Sequence, residues 1–308
     1  MTAKAQVIEC SLDPVSKKRI TTMEVYAPRA FVWEQFLCHR ALSRNASSSR
    51  AKPVQTLINE IKTDPAMPLR WGLAGKGMQD HGEMSPEGAS KCKSIYLGAR
   101  DDAIRRAGQM LKQPETPHKQ NINVILRPYE HITAVVSATE WSNFFALRRH
   151  PDARPEFQEL ANIMWASFKA SVPVELKPGE WHLPYIFQHE RQSLLLTLGG
   201  KYDEALANLI RISAARCARA SYKTFNGKVA SFPEDIALYE KLAGGFPMHA
   251  SPLEHQATPD TFRVTFDPVK KKARRVWDHP ELHGNFIGYI QHRKTLPGEN
   301  IAVYDPED

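Results

Sequence analysis

Cys38-His39-Arg40-Ala41-Leu42-Ser43-Arg44-Asn45-Ala46-Ser47-Ser48-Ser49-Arg50 puts three Arg, one His, one Asn and four Ser into thirteen residues. Such a stretch carries many donors for anionic oxygens and offers little to an apolar core. Its arginines keep their charge at any useful pH. Ser47, Ser48 and Ser49 add hydroxyls, and their backbone N–H groups are free wherever the chain turns. Composition alone leaves two readings level. One is a phosphate grip. The other is a polar capped turn whose arginines pair with distant carboxylates.

Upstream, Ile20 to Tyr26 alternates apolar and polar residues and reads as a strand. Pro28 then opens a helix through Arg40. On that helix Phe31, Gln35, Cys38 and His39 fall on one face. Downstream, Pro53 starts a helix to about Lys62, and Pro65 to Gly82 is a loop. Ser85-Pro86-Glu87 caps a helix to about Leu111. Further helices are expected from about Tyr129 to Arg148, from Asp152 and Pro155 to about Ala170, from His189 to Leu198, from Tyr202 to Tyr222 and from Pro233 to Leu242. A Pro- and Gly-rich loop spans Pro173 to Pro184. Beyond Ser251 the chain reads as strand and loop, with Thr261 to Phe266 the clearest strand. Helix dominates, so the expected class is α+β, helix-rich with a small sheet.

The 308 residues carry a net charge of +7, which fits nucleotides, anionic cofactors or nucleic acid. No apolar run approaches the ~20 residues that span a bilayer. Met1 to Cys10 lacks an apolar signal core, so the expected location is cytoplasmic. Cys10, Cys38, Cys92 and Cys217 are scattered without a CxxC pair, which points to reduced thiols and away from structural zinc. The run Lys270 to Arg275 reads as a solvated loop first and a phosphate-backbone contact second.

Glu140-Trp141-Ser142-Asn143-Phe144-Phe145-Ala146-Leu147-Arg148-Arg149-His150 forms a second constellation. On a helix Asn143 and Arg148 stand roughly 140° apart and can flank one pocket. An amphipathic helix end is the plainer reading. A third cluster is His249-Ala250-Ser251-Pro252-Leu253-Glu254-His255. It lacks the HExxH spacing, so no metal is expected there. Gly179 to Tyr185 is an aromatic loop read as core packing. Cys38 is open to two readings, a thiol activated by nearby Arg and His or an inert cysteine. GxSxG, Walker A and GxGxxG are all absent, which disfavours hydrolase, P-loop and Rossmann chemistry.

Taken together these clusters resemble the flavin-dependent thymidylate synthases. That family carries Arg-His-Arg-x-x-Ser-x-Asn-Glu-x-Ser-x-Arg-Tyr. Here His39, Arg40, Ser43, Asn45, Ser48 and Arg50 match, while Cys38, Ala46 and Ala51 depart. Gln35 matches the Gln three residues before the first Arg. Asn143-Phe-Phe-Ala-Leu-Arg148 and Ala153-Arg-Pro-Glu156 form a second match. Ala218-Arg-Ala-Ser-Tyr222 and Ser251-Pro-Leu-Glu-His255 resemble Ala-Arg-Val-Ser-Tyr and Ser-Pro-Phe-Glu-His. In compact members those last two segments precede the Arg-His-Arg motif, and here they follow it. The resemblance therefore implies a circular permutation, with the strand at Thr21 beside the loop at His255.

The resemblance also implies one domain over 1–308, in the flavin-dependent thymidylate synthase fold with a small twisted sheet. Residues 1–172 would carry the Arg/Ser motif and the Asn-x4-Arg segment, and 173–308 the other two. It implies a homotetramer that binds FAD, with NADPH and methylenetetrahydrofolate as cosubstrates, and dUMP or a related pyrimidine nucleotide as substrate. His39, Arg40, Asn143, His249 and Ser251 would contact FAD. Gln35, Ser47, Ser48, Ser49 and Arg50 would hold the nucleotide. Arg148 would face the pyrimidine and act as the catalytic residue by favouring its N3-ionised form. Val124 stands where the family has a nucleotide-contacting Arg, with Arg127 or Arg44 as replacements. The implied reaction is dUMP methylation at C5. The alternatives are hydroxymethylation, action on UMP or dCMP, or a non-catalytic relative that binds nucleotide or nucleic acid. Membrane association is not expected, and nucleic acid is the minor reading.

Overall fold

The structure, a computed structural model, describes residues 3–220, 228–267 and 271–300. The chain begins with strands β1 (Lys4–Leu12) and β2 (Arg19–Pro28), helix α1 (Arg29–Leu37), strand β3 (Ser43–Ala46) and helix α2 (Val54–Thr63). Helices α3 (Pro86–Leu111) and α4 (Lys119–Asn123) lead to β4 (His131–Ala138), α5 (Ser142–Arg148), α6 (Pro155–Ala170) and the short β5 (Val174–Glu175). Helices α7 (Gln188–Thr197), α8 (Tyr202–Arg219) and α9 (Phe232–Ala243) follow. The last strands are β6 (Ala257–Pro259), β7 (Phe262–Asp267), β8 (Lys272–Trp277) and β9 (Tyr289–Gln291). The class is helix-rich α+β, as expected. No helix among the described residues is long and apolar enough to cross a membrane.

The main sheet has the order β3-β4-β2-β1-β5. Its pairs are antiparallel except β1 with β5. Alternation in β2 sends Met23, Val25 and Ala27 to one face, beside Ala134, Val136 and Ala138 of β4. Helices α1, α5 and α6 cover that face with Val32, Phe36, Phe144, Phe145, Phe157, Leu160 and Met164.

The helix expected over Tyr129 to Arg148 is instead strand β4 followed by the short α5. Ile132, Thr133, Val135 and Val136 are β-branched, and the strand is buried along nearly its whole length. A central strand covered on both faces reads as a continuous apolar run, which periodicity cannot separate from a buried helix. Helix α1 stops at Leu37, three residues short of the expectation. Arg44 sends Nη1 to the carbonyls of His39 and Leu42 and Nη2 to that of Leu37. Those bonds satisfy carbonyls at the helix end and curl the chain away. Cys38 and His39 therefore do not extend the face of Phe31 and Gln35. Helix α8 likewise ends at Arg219, where Ala220 takes a left-handed conformation. The expected extension to Tyr222, and Lys270 of the basic run, lie outside the described residues.

The second face of the sheet is polar, and residues from the C-terminal half cover it. Ser11 Oγ meets His182 Nδ1 at 2.9 Å, and His182 Nε2 meets Thr22 Oγ1 at 2.8 Å. Thr22 Oγ1 meets Ser137 Oγ at 2.6 Å, and Ser137 Oγ meets His255 Nδ1 at 2.8 Å. Burial pushes both imidazoles down to about 3, so they are neutral members of this chain. Beside it Tyr185 Oη donates to Glu24, and Val135 packs with Tyr185, Cys217 and Ala220. The Gly179 to Tyr185 loop is thus part of the core and also contributes to its polar network. The strand at Thr21 does sit next to the loop at His255. Ile20 packs with Ala257, Phe286 and Tyr289.

Candidate active site

The Arg/Ser segment forms two structures. Its first part is β3, a strand without β-favouring residues that is held by pairing with β4. Asn45 projects from it, donates through Nδ2 to the carbonyls of Cys217 and Ala218, and accepts from Ser251 Oγ. Three of the four sequence segments therefore meet at one side chain.

The second part, Ser47 to Arg50, is a turn. Ser47 is bonded to Thr133 through its N–H and its Oγ. Ser48 Oγ accepts from the Arg50 N–H, and the Ser48 carbonyl accepts from the Ala51 N–H. Ser49 is buried, with its carbonyl held by Asn123 Nδ2 at 2.7 Å and its Oγ by Arg127 Nε at 2.9 Å. The backbone N–H groups of Ser48 and Ser49 and the Arg50 guanidinium have no protein partner among the described residues. Arg29 donates to the Ser47 carbonyl and Lys119 to that of Ala51. The turn is a concave set of open donors ringed by cations, a geometry suited to a phosphate. Val124 is exposed, and Arg127, three residues on, reaches the turn in its place. Arg44, the other expected replacement, is occupied with carbonyls at the end of α1.

Two adjoining cavities lie on the other side of Arg40. The larger, about 540 Å³, is bounded by Arg40, Arg44, Ser251, Glu254, Asn285 and Gln291. The smaller, about 290 Å³, is bounded by Cys38, His39, Arg40, Glu140 and Asn143. Arg40 belongs to both and pairs with no acid among the described residues. Of the five residues expected at the flavin, His39, Arg40, Asn143 and Ser251 thus converge here. His249 is exposed and lines neither cavity.

Arg148 Nε donates to His39 Nε2 at 2.7 Å, and its guanidinium lies over Phe157. Burial, then the charges of Arg148 and Arg44, push the His39 imidazole down to about 4. Phe144 meets the same ring edge-on at 5.1 Å. Arg148 is thereby tied to His39, which lines the smaller cavity, and lines neither cavity itself. Among the described residues no hydrogen bond or ion pair joins Arg148 or Gln35 to Ser47–Arg50. Arg148 is bonded to His39, and Ser47–Arg50 are held by Thr133, Asn123 and Arg127.

Sequence reasoning missed Gly284, Asn285 and Gln291, which form one wall of the larger cavity. Gly284 and Asn285 sit in an irregular segment, and Gln291 ends β9, a strand of three residues too short to show a period. The one local signal was the His283-Gly284-Asn285 turn, where Gly284 has a φ of +59°.

The sequence model of the thymidylate synthase complementing protein family matches residues 18–174, just over half of the chain. That match takes in the Arg/Ser segment and Asn143 to Glu156. The segments at Ala218 and Ser251 lie outside it. Among solved structures, the UMP/dUMP methylase PolB from Streptomyces cacaoi bound with 5-Br UMP is similar at 14% identity and a TM-score of 0.43. The similarity covers 55% of this chain and 89% of that one. The same enzyme bound with 5-Br dUMP is similar at 14% identity and a TM-score of 0.41, over 54% of this chain and 90% of that one. No curated protein matches the chain.

Proposed function

The chain belongs to the thymidylate synthase complementing protein family, and we propose that it methylates dUMP at C5 with FAD bound, drawing the carbon from methylenetetrahydrofolate and the reducing electrons from NADPH. The observation that carries the nucleotide reading is the Ser47–Arg50 turn, with two open backbone N–H groups, an unpaired Arg50 and Arg127 at Ser49. Phosphate on this turn would be held by charge-assisted bonds.

The Arg40 cavities fit a flavin dinucleotide in their donor set. An unpaired guanidinium joins them, and Ser251, Asn143 and Asn285 add neutral polar groups. FAD, when bound, supplies the redox chemistry, and folate supplies the one-carbon unit. The chain's own residues bind and orient. Arg148 is held by His39 and presents the rest of its guanidinium to a pyrimidine carbonyl, favouring loss of the N3 proton and making C5 more nucleophilic. The reading includes the homotetramer, with active sites at subunit interfaces, that the family resemblance implies. The segment order supports one permuted domain over 1–308, and a cytoplasmic location is part of the reading. Ala46 and Val124, where the family has Glu and Arg, keep UMP and dCMP as substrates and hydroxymethylation as a product within the reading.

The test is product analysis by mass spectrometry with dUMP, UMP and dCMP, using protein loaded with FAD, methylenetetrahydrofolate and NADPH. A yellow protein that consumes NADPH only when nucleotide and folate are both present is expected. Protein that takes up no FAD and binds no dUMP would overturn the reading.

A further inference from the structure

The wall formed by Gly284, Asn285 and Gln291 belongs to none of the family segments and lies outside the family-matched residues. Gln291 is 2% exposed, yet it borders the larger cavity. Its Nε2 shares its two hydrogens among three acceptors, Glu254 O at 3.0 Å, Asn285 Oδ1 at 3.1 Å and Ser43 Oγ at 3.2 Å. Ser43 Oγ in turn donates to Asn285 Oδ1 at 2.9 Å. These bonds fix both amides to β3 on one side and to the Ser251–Glu254 turn on the other. They also account for only half of each amide. Among the described residues, Gln291 Oε1 accepts nothing and Asn285 Nδ2 donates nothing. Gln291 is buried and Asn285 half-buried, and their unused ends face the cavity, so this wall offers one open acceptor beside one open donor to whatever fills it.

Gly284 shapes the same wall. A Cβ at this position would lie 2.5 Å from Gln291 Oε1, and its φ of +59° also favours glycine. Absence of a side chain there leaves the acceptor uncrowded.

We infer that Asn285 and Gln291 form a recognition pair for a heterocyclic ring edge carrying a hydrogen-bond acceptor beside an N–H donor, and that this edge belongs to the dinucleotide bound in the Arg40 cleft. The inference rests on the flavin reading given above. Paired amide groups are a common means of reading such an edge. Two parts of a flavin dinucleotide carry it, the adenine and the pyrimidine side of the flavin ring. Arg40, on the same cavity, stands ready for the diphosphate between them.

Asn285→Asp keeps the Oδ1 acceptor for Ser43 and Gln291 and removes the open donor. Asn285→Ser repeats the test without adding charge, and Gly284→Ala crowds the open acceptor. Each variant is purified as the full chain and titrated with FAD and with FMN by flavin fluorescence, and with dUMP by calorimetry. Folding is checked by circular dichroism. Both Asn285 variants are expected to weaken FAD at least about tenfold, the factor that 1.4 kcal/mol represents, with dUMP affinity held within about twofold. Loss of FAD affinity with FMN affinity intact assigns the pair to adenine, and equal loss of both assigns it to the flavin ring. Wild-type protein that binds FAD, with folded Asn285 variants that bind it equally well, overturns this inference alone. Wild-type protein that binds no FAD overturns the inference together with the flavin reading.

Discussion

Arg148 donates from Nε to His39 Nε2, which requires that nitrogen to keep its lone pair. With the imidazole pushed down to about 4, the bond survives at any pH above that value. Arg148→Ala is expected to lower kcat by about 10²–10³, the range for losing one aimed electrostatic donor, with the circular dichroism spectrum unchanged. Near-normal kcat in this variant would remove Arg148 from the reaction. Arg50 is exposed and unpaired, so Arg50→Ala should leave stability within about 0.5 kcal/mol. It should weaken nucleotide binding by about 1.5–3 kcal/mol, read as Kd by calorimetry. An unchanged Kd would place the phosphate elsewhere. At this scale the sequence was informative where residue types cluster, because Ser and Arg density survives any backbone geometry. It was silent on Gln291, whose role depends on contacts with Ser43 and Glu254 across 248 and 37 residues.

Helices α7, α8 and α9 are joined by one fully buried arginine. Arg216 reaches Glu190 with Nη1 and Nη2 at 2.8 Å, Asp235 with Nε at 3.0 Å and the Tyr185 carbonyl with Nη1 at 2.7 Å. Arg219 adds a second pair with Asp235. Arg216→Met would leave Glu190 with no cation and only the Phe187 N–H, and would weaken the hold on Asp235. The expected loss is about 3–5 kcal/mol in urea unfolding, and a loss below about 1 kcal/mol would show that the ion cluster is dispensable. Elements with strong local signals were legible: β2 by alternation, α3 by its Ser85 cap and following Pro86, and α6 by Pro155. Strands β3 and β4 were not. The first has no intrinsic preference and exists because β4 is beside it, and the second is covered on both faces and loses its period.

Among the described residues, five imidazoles are held low by burial: His182 and His255 to about 3, His39 and His292 to about 4, and His131 below its ordinary value. The unfolded chain binds protons on these rings near the ordinary value of 6.5. Between about 6.5 and 3 the unfolded form therefore holds more protons, and stability should fall as pH drops through that window. Urea midpoints measured from pH 7 to pH 4 test this, and a flat profile would contradict it. Fold class was legible from helix content and the family resemblance. The covering of the polar sheet face by the C-terminal half was foreseen only as adjacency of Thr21 and His255, since a sequence does not show which distant hydroxyls and imidazoles will bond.

The hydrogen-bonded run from Ser11 through His182, Thr22 and Ser137 to His255 has a further consequence on the ribosome. Thr22 emerges more than two hundred residues before His255. At ordinary synthesis rates of about 5–20 residues per second, β2 waits on the order of ten to fifty seconds for the loop at His255, and β4 about half as long. Once α6 has emerged, the apolar side of the nascent sheet can be covered while the hydroxyls of its other face still lack His255. Chaperone occupancy on this chain should therefore persist until the segment around residue 255 has left the exit tunnel, and ribosome profiling of chaperone-bound nascent chains would locate its release.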